Sequence, residues 1–196
     1  MKISIIVLNY NGLENTIDCL NSFKNLKKND NIVEIIVVDN NSKDGSQEAL
    51  SKLKDIHLIQ NSQNLGYSGG NNIGITDAIK RKADLILILN NDTTVEKEIL
   101  IHLVEKSKSS DIISPKIYFS AGFEFHKKRY KRSELGRVIW YAGGKIDWQN
   151  IIGSHVGVDE VDHGQFNKSG EIDFATGAAM LVKREVFEKI GTFDEK

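Results

Sequence analysis

Four apolar runs in this sequence end in side chains that can bind polar ligands. Residues 3–8 end in Asn9-Tyr10-Asn11, 34–38 in Asp39-Asn40-Asn41, and 85–89 in Asn90-Asn91-Asp92, while 56–60 leads to Asn61 and Asn64. In open parallel sheets ligands bind outside the carboxyl ends of the strands, so these ends point to one common polar edge. Asp92 carries the sharpest chemistry. A diphosphate leaving group needs a cation to neutralise it, and Mg²⁺ or Mn²⁺ typically takes one or two carboxylates plus phosphate oxygens. One strand-end Asp with polar neighbours is sufficient protein ligation. The competing reading has Asp92 cap a helix beginning near Val95. Asp39 can accept hydrogen bonds from a ribose hydroxyl or a base N–H, or else cap the turn at 42–45. The stretch 66–72, Gly-Tyr-Ser-Gly-Gly-Asn-Asn, is expected to place two glycines just ahead of a helix, where backbone N–H groups can face an anion.

These groups need elements to hold them. Runs 3–8, 34–38, 56–60 and 85–89 read as strands, the first, second and fourth nearly continuous in apolar residues, as strands covered on both faces should be. The shorter, more polar third run suits a sheet edge. Between them Leu13, Ile17, Leu20 and Phe23 recur at helical spacing, Ser42-Lys-Asp44 is expected to open a helix, and Ile75, Ala78 and Ile79 mark another. A further helix carries Ile99, Leu100, Leu103 and Val104. This alternation predicts an α/β fold with a Rossmann-like, mostly parallel sheet flanked by helices. Beyond an extended piece at 112–119 the pattern changes to short strands punctuated by Gly and Trp, then a strand at 178–182 and a helix at 184–190. Residues 1–118 and 119–196 are expected to form two functional halves of one domain.

Composition narrows the partners. Lys plus Arg number 26 against 27 Asp plus Glu, giving a net charge of -1 and no basic excess of the kind nucleic acid requires. The single cysteine, Cys19, rules out an internal disulfide and reads as a small buried hydrophobe. The apolar runs are too short for a signal-peptide core or a bilayer span, so a cytoplasmic protein is expected, touching a membrane at most peripherally. Its basic run 127–132 reads first as a solvated loop, with contact to anionic lipid head groups or a phosphorylated acceptor as the alternative. The five histidines show no zinc spacing.

Together the segments Val7-Leu-Asn-Tyr-Asn-Gly12, Val37-Val-Asp-Asn-Asn-Ser42, Asn64-Leu-Gly-Tyr-Ser-Gly-Gly-Asn-Asn-Ile-Gly74, Leu87-Ile-Leu-Asn-Asn-Asp-Thr93, Trp140-Tyr-Ala-Gly-Gly144, Asp173-Phe-Ala-Thr-Gly-Ala-Ala-Met-Leu181 and Gly191-Thr-Phe-Asp-Glu195 resemble family 2 glycosyltransferases of the GT-A fold, especially the bacterial rhamnosyltransferase-like branch. The resemblance covers nearly the whole chain in the family's order. It implies transfer of a sugar from a nucleotide-diphospho-sugar, dTDP-rhamnose or a UDP-sugar, to a glycan or lipid-linked acceptor with inversion, in cell-surface polysaccharide synthesis. Asn9, Asn11, Asp39, Gly70, Asn71 and Asn91 would bind the donor. Asp92 would be the ligand of Mg²⁺ or Mn²⁺, closing a DxD-like motif whose first position is Asn90. Asp173, Thr176, Gly177 and Ala178 would lie near the donor sugar and acceptor. The family's general base sits in a Glu-Asp pair expected after Lys196, so no catalytic base is named and a donor-binding fragment without activity is the alternative reading. A nucleotidyltransferase would need a charged Gly-rich loop where Asn9-Tyr10-Asn11-Gly12 stands.

Overall fold

A computed structural model describes residues 1–126 and 128–195. Lys127, in the basic run, and Lys196 lie outside the described residues. The chain divides into two compact units, Met1–Ile113 with Gly177–Lys196, and Ser114–Thr176. The last stretch of chain thus belongs with the first unit.

In the first unit, β1 (Lys2–Asn9), β2 (Ile32–Asp39), β3 (His57–Gln60) and β4 (Leu85–Asn90) alternate with α1 (Leu13–Ser22), α2 (Ser46–Ser51) and α3 (Gly66–Lys80). After β4 come α4 (Ile99–Ser107) and the short β5 (Ile112–Ile113). The second unit holds two ribbons, β6 (Ile117–Tyr118) with β7 (Ile139–Tyr141), and β8 (Gly144–Asp147) with β9 (Ile152–His155). The chain then returns as β10 (Ala179–Lys183) and α5 (Arg184–Ile190). The six-stranded sheet has the order β3-β2-β1-β4-β10-β5, with β1 to β4 parallel and β10 antiparallel to both neighbours. As its polarity suggested, β3 is an edge strand.

Ile3, Ile5, Ile6 and Val7 are fully buried, as are Ile36 to Val38 and Ile86 and Ile88. No alternation survives along these strands because both faces are covered. Register then decides where chemistry can occur. Asn9 pairs with Asp39, Asp39 with Gln60, and Leu8 with Asn90, so the strand ends are level at one edge. The chain moves from β1 to β2 and β3 on one side, and β4 lies on the other. That reversal places the switch point of the sheet beside β1.

Two local expectations differ from the structure. The helix expected at Ser42 begins at Ser46, because the Asp44 carboxylate accepts the Ser46 N–H (3.1 Å) and Leu13 N–H (3.1 Å) and holds 42–45 as a turn. The turn expected at 66–72 is the first half of α3. Gly66 opens it with its N–H bound to Asn64 Oδ1 (2.8 Å), while Gly69 and Gly70 lie inside the helix. They are there for packing. A Cβ on Gly74 would stand 2.6 Å from Ile6 Cγ2 and 3.2 Å from Val38 Cγ2, and one on Gly70 would stand 2.4 Å from Leu8 Cδ1. Hydrogen atoms at these two positions let α3 lie directly on β1 and β2. Gly74→Ala is expected to destabilise the protein by about 1–3 kcal/mol in urea unfolding, despite a gain of about 1 kcal/mol in helix propensity, because Ile6 and Val38 cannot yield. Gly70→Ala should destabilise as well, since its Cβ would also stand 2.8 Å from Asn40 Nδ2, which Asn64 and the Gly66 carbonyl hold in place. Equal midpoints for Gly74→Ala and wild type would refute this packing account.

The second unit is centred on Val138, Ile139 and Tyr141, all buried. Its ribbon β8–β9 turns at Trp148 and Ile151, both exposed, and Ile151 is held at φ 55, a left-handed conformation costly for a β-branched residue. Among the described residues no helix is long and apolar enough to cross a membrane.

Candidate functional site

Asp39 is fully buried at the end of β2 and is the hub of the level strand ends. One oxygen accepts the Asn9 side-chain N–H (2.7 Å), and the other accepts the Ser42 backbone N–H (2.9 Å) and the Gln47 amide (2.9 Å). Burial alone would raise its pKa. The Ser42 hydroxyl and backbone N–H, then Gln47 and Asn9, outweigh burial and hold the carboxyl below the usual carboxylate range. The turn-holding reading of Asp39 is therefore realised, and the carboxylate is kept ionised at the edge of the sheet.

Asn9 is equally buried and fully engaged. Its amide donates to Asp39 and to Ser42 Oγ (3.1 Å), and its oxygen accepts from Thr16 Oγ1 (2.7 Å). Both N–H groups are spent inside the protein, so Asn9 orients Asp39. Asn91 acts similarly from β4, donating to Thr16 Oγ1 (2.9 Å) and tying α1 to the loop after β4. Asn40 binds Asn61, Asn64 and the Gly66 carbonyl. Much of the polar edge is thus a solder joint between loops. Thr16, Ser42 and Gln47 belong to that joint, and of these the sequence pointed only to Ser42, as the start of a turn or helix. Ser42 was detectable, three residues after Asp39 at the spacing of a side-chain-closed turn. Thr16 was not, because it joins Asn9 on β1 to Asn91, far along the chain, a bridge that no local spacing marks.

Three residues remain open. Asn11 is exposed at φ 50, a conformation that asparagine tolerates, and its side-chain oxygen accepts the Lys43 N–H (2.7 Å). Asn41, at φ 65, bridges to the Ser62 carbonyl. Asp92 is exposed, and among the described residues its carboxylate makes no hydrogen bond and no salt bridge. α4 starts only at Ile99, so Asp92 does not cap it, and Thr93 instead bonds the Asn90 carbonyl (2.6 Å). The charge of Asp92 is felt by buried Cys19, whose thiol is pushed up to about 12 by burial and then by Asp92. Cys19 is therefore inert, as its position on α1 suggested.

On α3, Asn71 is buried and donates to the Tyr67 carbonyl (3.0 Å), while its side-chain oxygen is left without a hydrogen bond. Gly70, beside it, packs against Leu8 and Asn40. The next residue, Asn72, clamps the chain after α5, donating to the Phe193 carbonyl (2.8 Å) and accepting its N–H (2.9 Å). Gly177 and Ala178 join the same unit. The Gly177 carbonyl accepts the Tyr67 hydroxyl (2.7 Å), and the Ala178 carbonyl accepts the Asn90 N–H (3.0 Å), bringing Ala178 beside the Asn90 cluster. Asp173 and Thr176 belong to the second unit. There Asp173 bonds the Ile146 N–H (2.9 Å) and lies 3.6 Å from Lys145 Nζ, fastening its segment to β8, and Thr176 is buried.

Any divalent cation must fit this donor set. Among the described residues no cluster of three or more His, Cys, Asp or Glu side chains is assembled. The single open carboxylate of Asp92 fits an ion that takes most of its ligands from phosphate and water, as Mg²⁺ and Mn²⁺ do, and does not fit an all-protein cage.

Known proteins agree with this architecture. The chain is 30% identical over 198 residues to the low-salt glycan biosynthesis hexosyltransferase Agl10 of Haloferax volcanii, covering 98% of this chain and 56% of that protein. Among solved structures, the mannosyltransferase PcManGT from Pyrobaculum calidifontis in complex with GDP-Man and Mn²⁺ superposes with a TM-score of 0.62 at 16% identity, over 99% of this chain and 48% of that one. S. aureus TarS 1-349 in complex with UDP-GlcNAc gives 0.53 at 24% identity, over 62% of this chain and 36% of that one. These likenesses identify the architecture as the GT-A glycosyltransferase fold. The chain spans about half the length of the relatives it matches along its whole length. The sequence model of glycosyl transferase family 2 matches residues 4–191, so the chain belongs to that family.

Proposed function

We propose that this chain forms the donor-binding part of a glycosyltransferase that moves a sugar from a nucleotide-diphospho-sugar to a glycan or lipid-linked acceptor in polysaccharide synthesis. Transfer proceeds with inversion, and dTDP-rhamnose or a UDP-sugar is the donor. The observation that carries this reading is the pairing of two carboxylates at the level strand ends. Asp39 is buried and held ionised by four hydrogen bonds, while Asp92 is exposed and unengaged among the described residues. The first suits a neutral base or ribose with N–H and O–H donors, and the second suits a cation on a diphosphate.

In this reading Asn9 and Asn91 are positioning residues, orienting Asp39 and the loop after β4. Nucleotide contacts fall to Asp39, whose Gln47 partner is half-buried on α2 and can exchange for a base N–H, and to Asn11. Gly70 keeps α3 close enough for Asn71, with its unsatisfied buried oxygen, to face the donor. Asp92 would hold Mg²⁺ or Mn²⁺, which when bound neutralises the departing diphosphate. Gly177 and Ala178, beside Asn90, would border the donor sugar, with Asp173 and Thr176 serving the acceptor. The protein works on the cytoplasmic side with peripheral contact at a membrane. The bound GDP-Man, Mn²⁺ and UDP-GlcNAc of the two structural relatives support a metal-assisted nucleotide-sugar site.

Calorimetric titration with UDP, dTDP and GDP, each with and without Mn²⁺, tests the reading. One nucleotide is expected to bind, at least about tenfold more tightly with metal, and EDTA should reverse that gain. Failure of all three to bind in either condition would overturn it.

A further inference from the structure

We propose that the second unit docks on an anionic membrane surface through residues 120–126 and 128–136, with Phe123 and Phe125 entering the interface and Lys128, Lys131 and Arg132 meeting lipid phosphates. This deepens the peripheral contact proposed above by assigning its residues and lipid class, and it does not depend on the donor site.

The four most exposed large apolar side chains among the described residues all belong to this unit: Ile151 at 84%, Phe123 and Phe125 at 76% each, and Trp148 at 74%. Two of them flank Glu124, which is only 1% exposed. Its carboxylate accepts the backbone N–H groups of Gly122 (2.8 Å) and Gly136 (2.7 Å), stapling both ends of the loop together. Glu124 is thus seated inward in a turn-rich segment while Phe123 and Phe125, on either side of it, stand exposed. The buried Glu124 carboxylate fixes the segment that carries the two exposed rings.

Charge selects the occupant. Lys128, Lys131 and Arg132 make no salt bridge with any described residue, whereas Arg129 is drawn to Asp159 (3.2 Å), which also faces His126 (3.2 Å). The acid nearest in sequence, Glu134, is turned back onto the Lys131 backbone N–H (2.7 Å). Phe125 and Lys128 border one open surface depression, beside His126 and Arg129. Exposed aromatics interleaved with cations that make no salt bridge among the described residues match an anionic bilayer surface, where each Lys or Arg gains from the surface potential and each ring from the interface.

Co-sedimentation of the full chain with vesicles tests this, using pure phosphatidylcholine against an equimolar mixture with phosphatidylglycerol. Binding is expected only to the anionic vesicles and should fall as salt is raised. The Phe123→Ser/Phe125→Ser pair should weaken it about tenfold or more, and Lys128→Glu/Lys131→Glu/Arg132→Glu about a hundredfold or more. All these side chains are exposed, so melting temperature and nucleotide binding should be unchanged in both variants. Retained nucleotide binding separates failure here from failure of the donor site. Absence of wild-type binding to anionic vesicles at low salt would overturn the proposal, as would binding indifferent to both variants. So would a phenylalanine variant that alters only the elution volume on size exclusion, which would make the rings a contact between copies of the chain.

Discussion

Asp39→Ala is expected to melt roughly 5–15 °C below the wild type and to bind no nucleotide. The variant leaves the Ser42 N–H and one N–H of Asn9 facing a cavity, where each lost acceptor costs about 1–3 kcal/mol. Gln47 can turn to water, so the total is about 2–6 kcal/mol. Asp39→Asn is the sharper test, because it keeps the shape but places an amide N–H₂ against a donor. Turning Asn9 over does not help, since its oxygen already accepts from Thr16. The pH dependence follows from the depressed pKa of Asp39. A carboxyl lowered in the folded state contributes stability above its unfolded value, near 3.8, and that contribution is lost as pH falls through the folded value. Wild-type melting temperature should therefore drop on acidification below about pH 4, and part of that drop should be missing in Asp39→Asn. Circular dichroism melts across that range decide it, and identical slopes in the two proteins would show that Asp39 carries no such charge.

Asp92→Ala should behave in the opposite way. Its carboxylate is exposed and bonds nothing among the described residues, so the melting temperature should move little, in line with about ±0.5 kcal/mol for a plain surface change. Metal-dependent tightening of the nucleotide should vanish, and sugar transfer should fall by about 10²–10⁴, the equivalent of about 3–5 kcal/mol of leaving-group stabilisation. Asp92→Asn would separate charge from shape, since an amide offers one oxygen but no negative charge to the cation. Unchanged metal-dependent binding in Asp92→Ala would remove this residue from the site. The two aspartates thus separate cleanly, one expected to govern stability and binding together and the other the metal response alone.

The sheet was legible because its signal is local. Unbroken apolar runs such as 85–89 leave a strand covered on both faces few alternatives, and β1, β2 and β4 stand within two residues of their expected ends. Polar strand ends were legible for the same reason, and register brings them level. The duties of those ends were less legible. Asn9, Asp39 and Asn91 look alike in sequence as groups facing a ligand, yet Asn9 and Asn91 spend their amides on Thr16, Ser42 and Asp39. Such bonds join residues up to 75 apart, and nothing in local spacing encodes them. Helix α3 was misplaced at its start because glycine and asparagine disfavour helices in isolation, whereas here the close packing of Gly70 on Leu8 and Asn40 overrides propensity. The antiparallel insertion of β10 between β4 and β5 was also invisible, since strand direction is decided by a connection that passes through the whole second unit.

That insertion has a consequence for how the protein is made. The β4 strand emerges from the ribosome with Asn90, and its antiparallel neighbour begins only at Ala179. Roughly 90 residues are synthesised in between, taking about 5–20 s at ordinary translation speeds. Throughout that interval the most apolar strand of the sheet has one row of backbone N–H and C=O groups unpaired. A nascent chain in this state is open to pairing with a neighbour on the same message. The length of the second unit therefore sets a kinetic hazard, and slow codons within it would prolong the exposure of β4 more than slow codons placed before Leu85 or after Lys183.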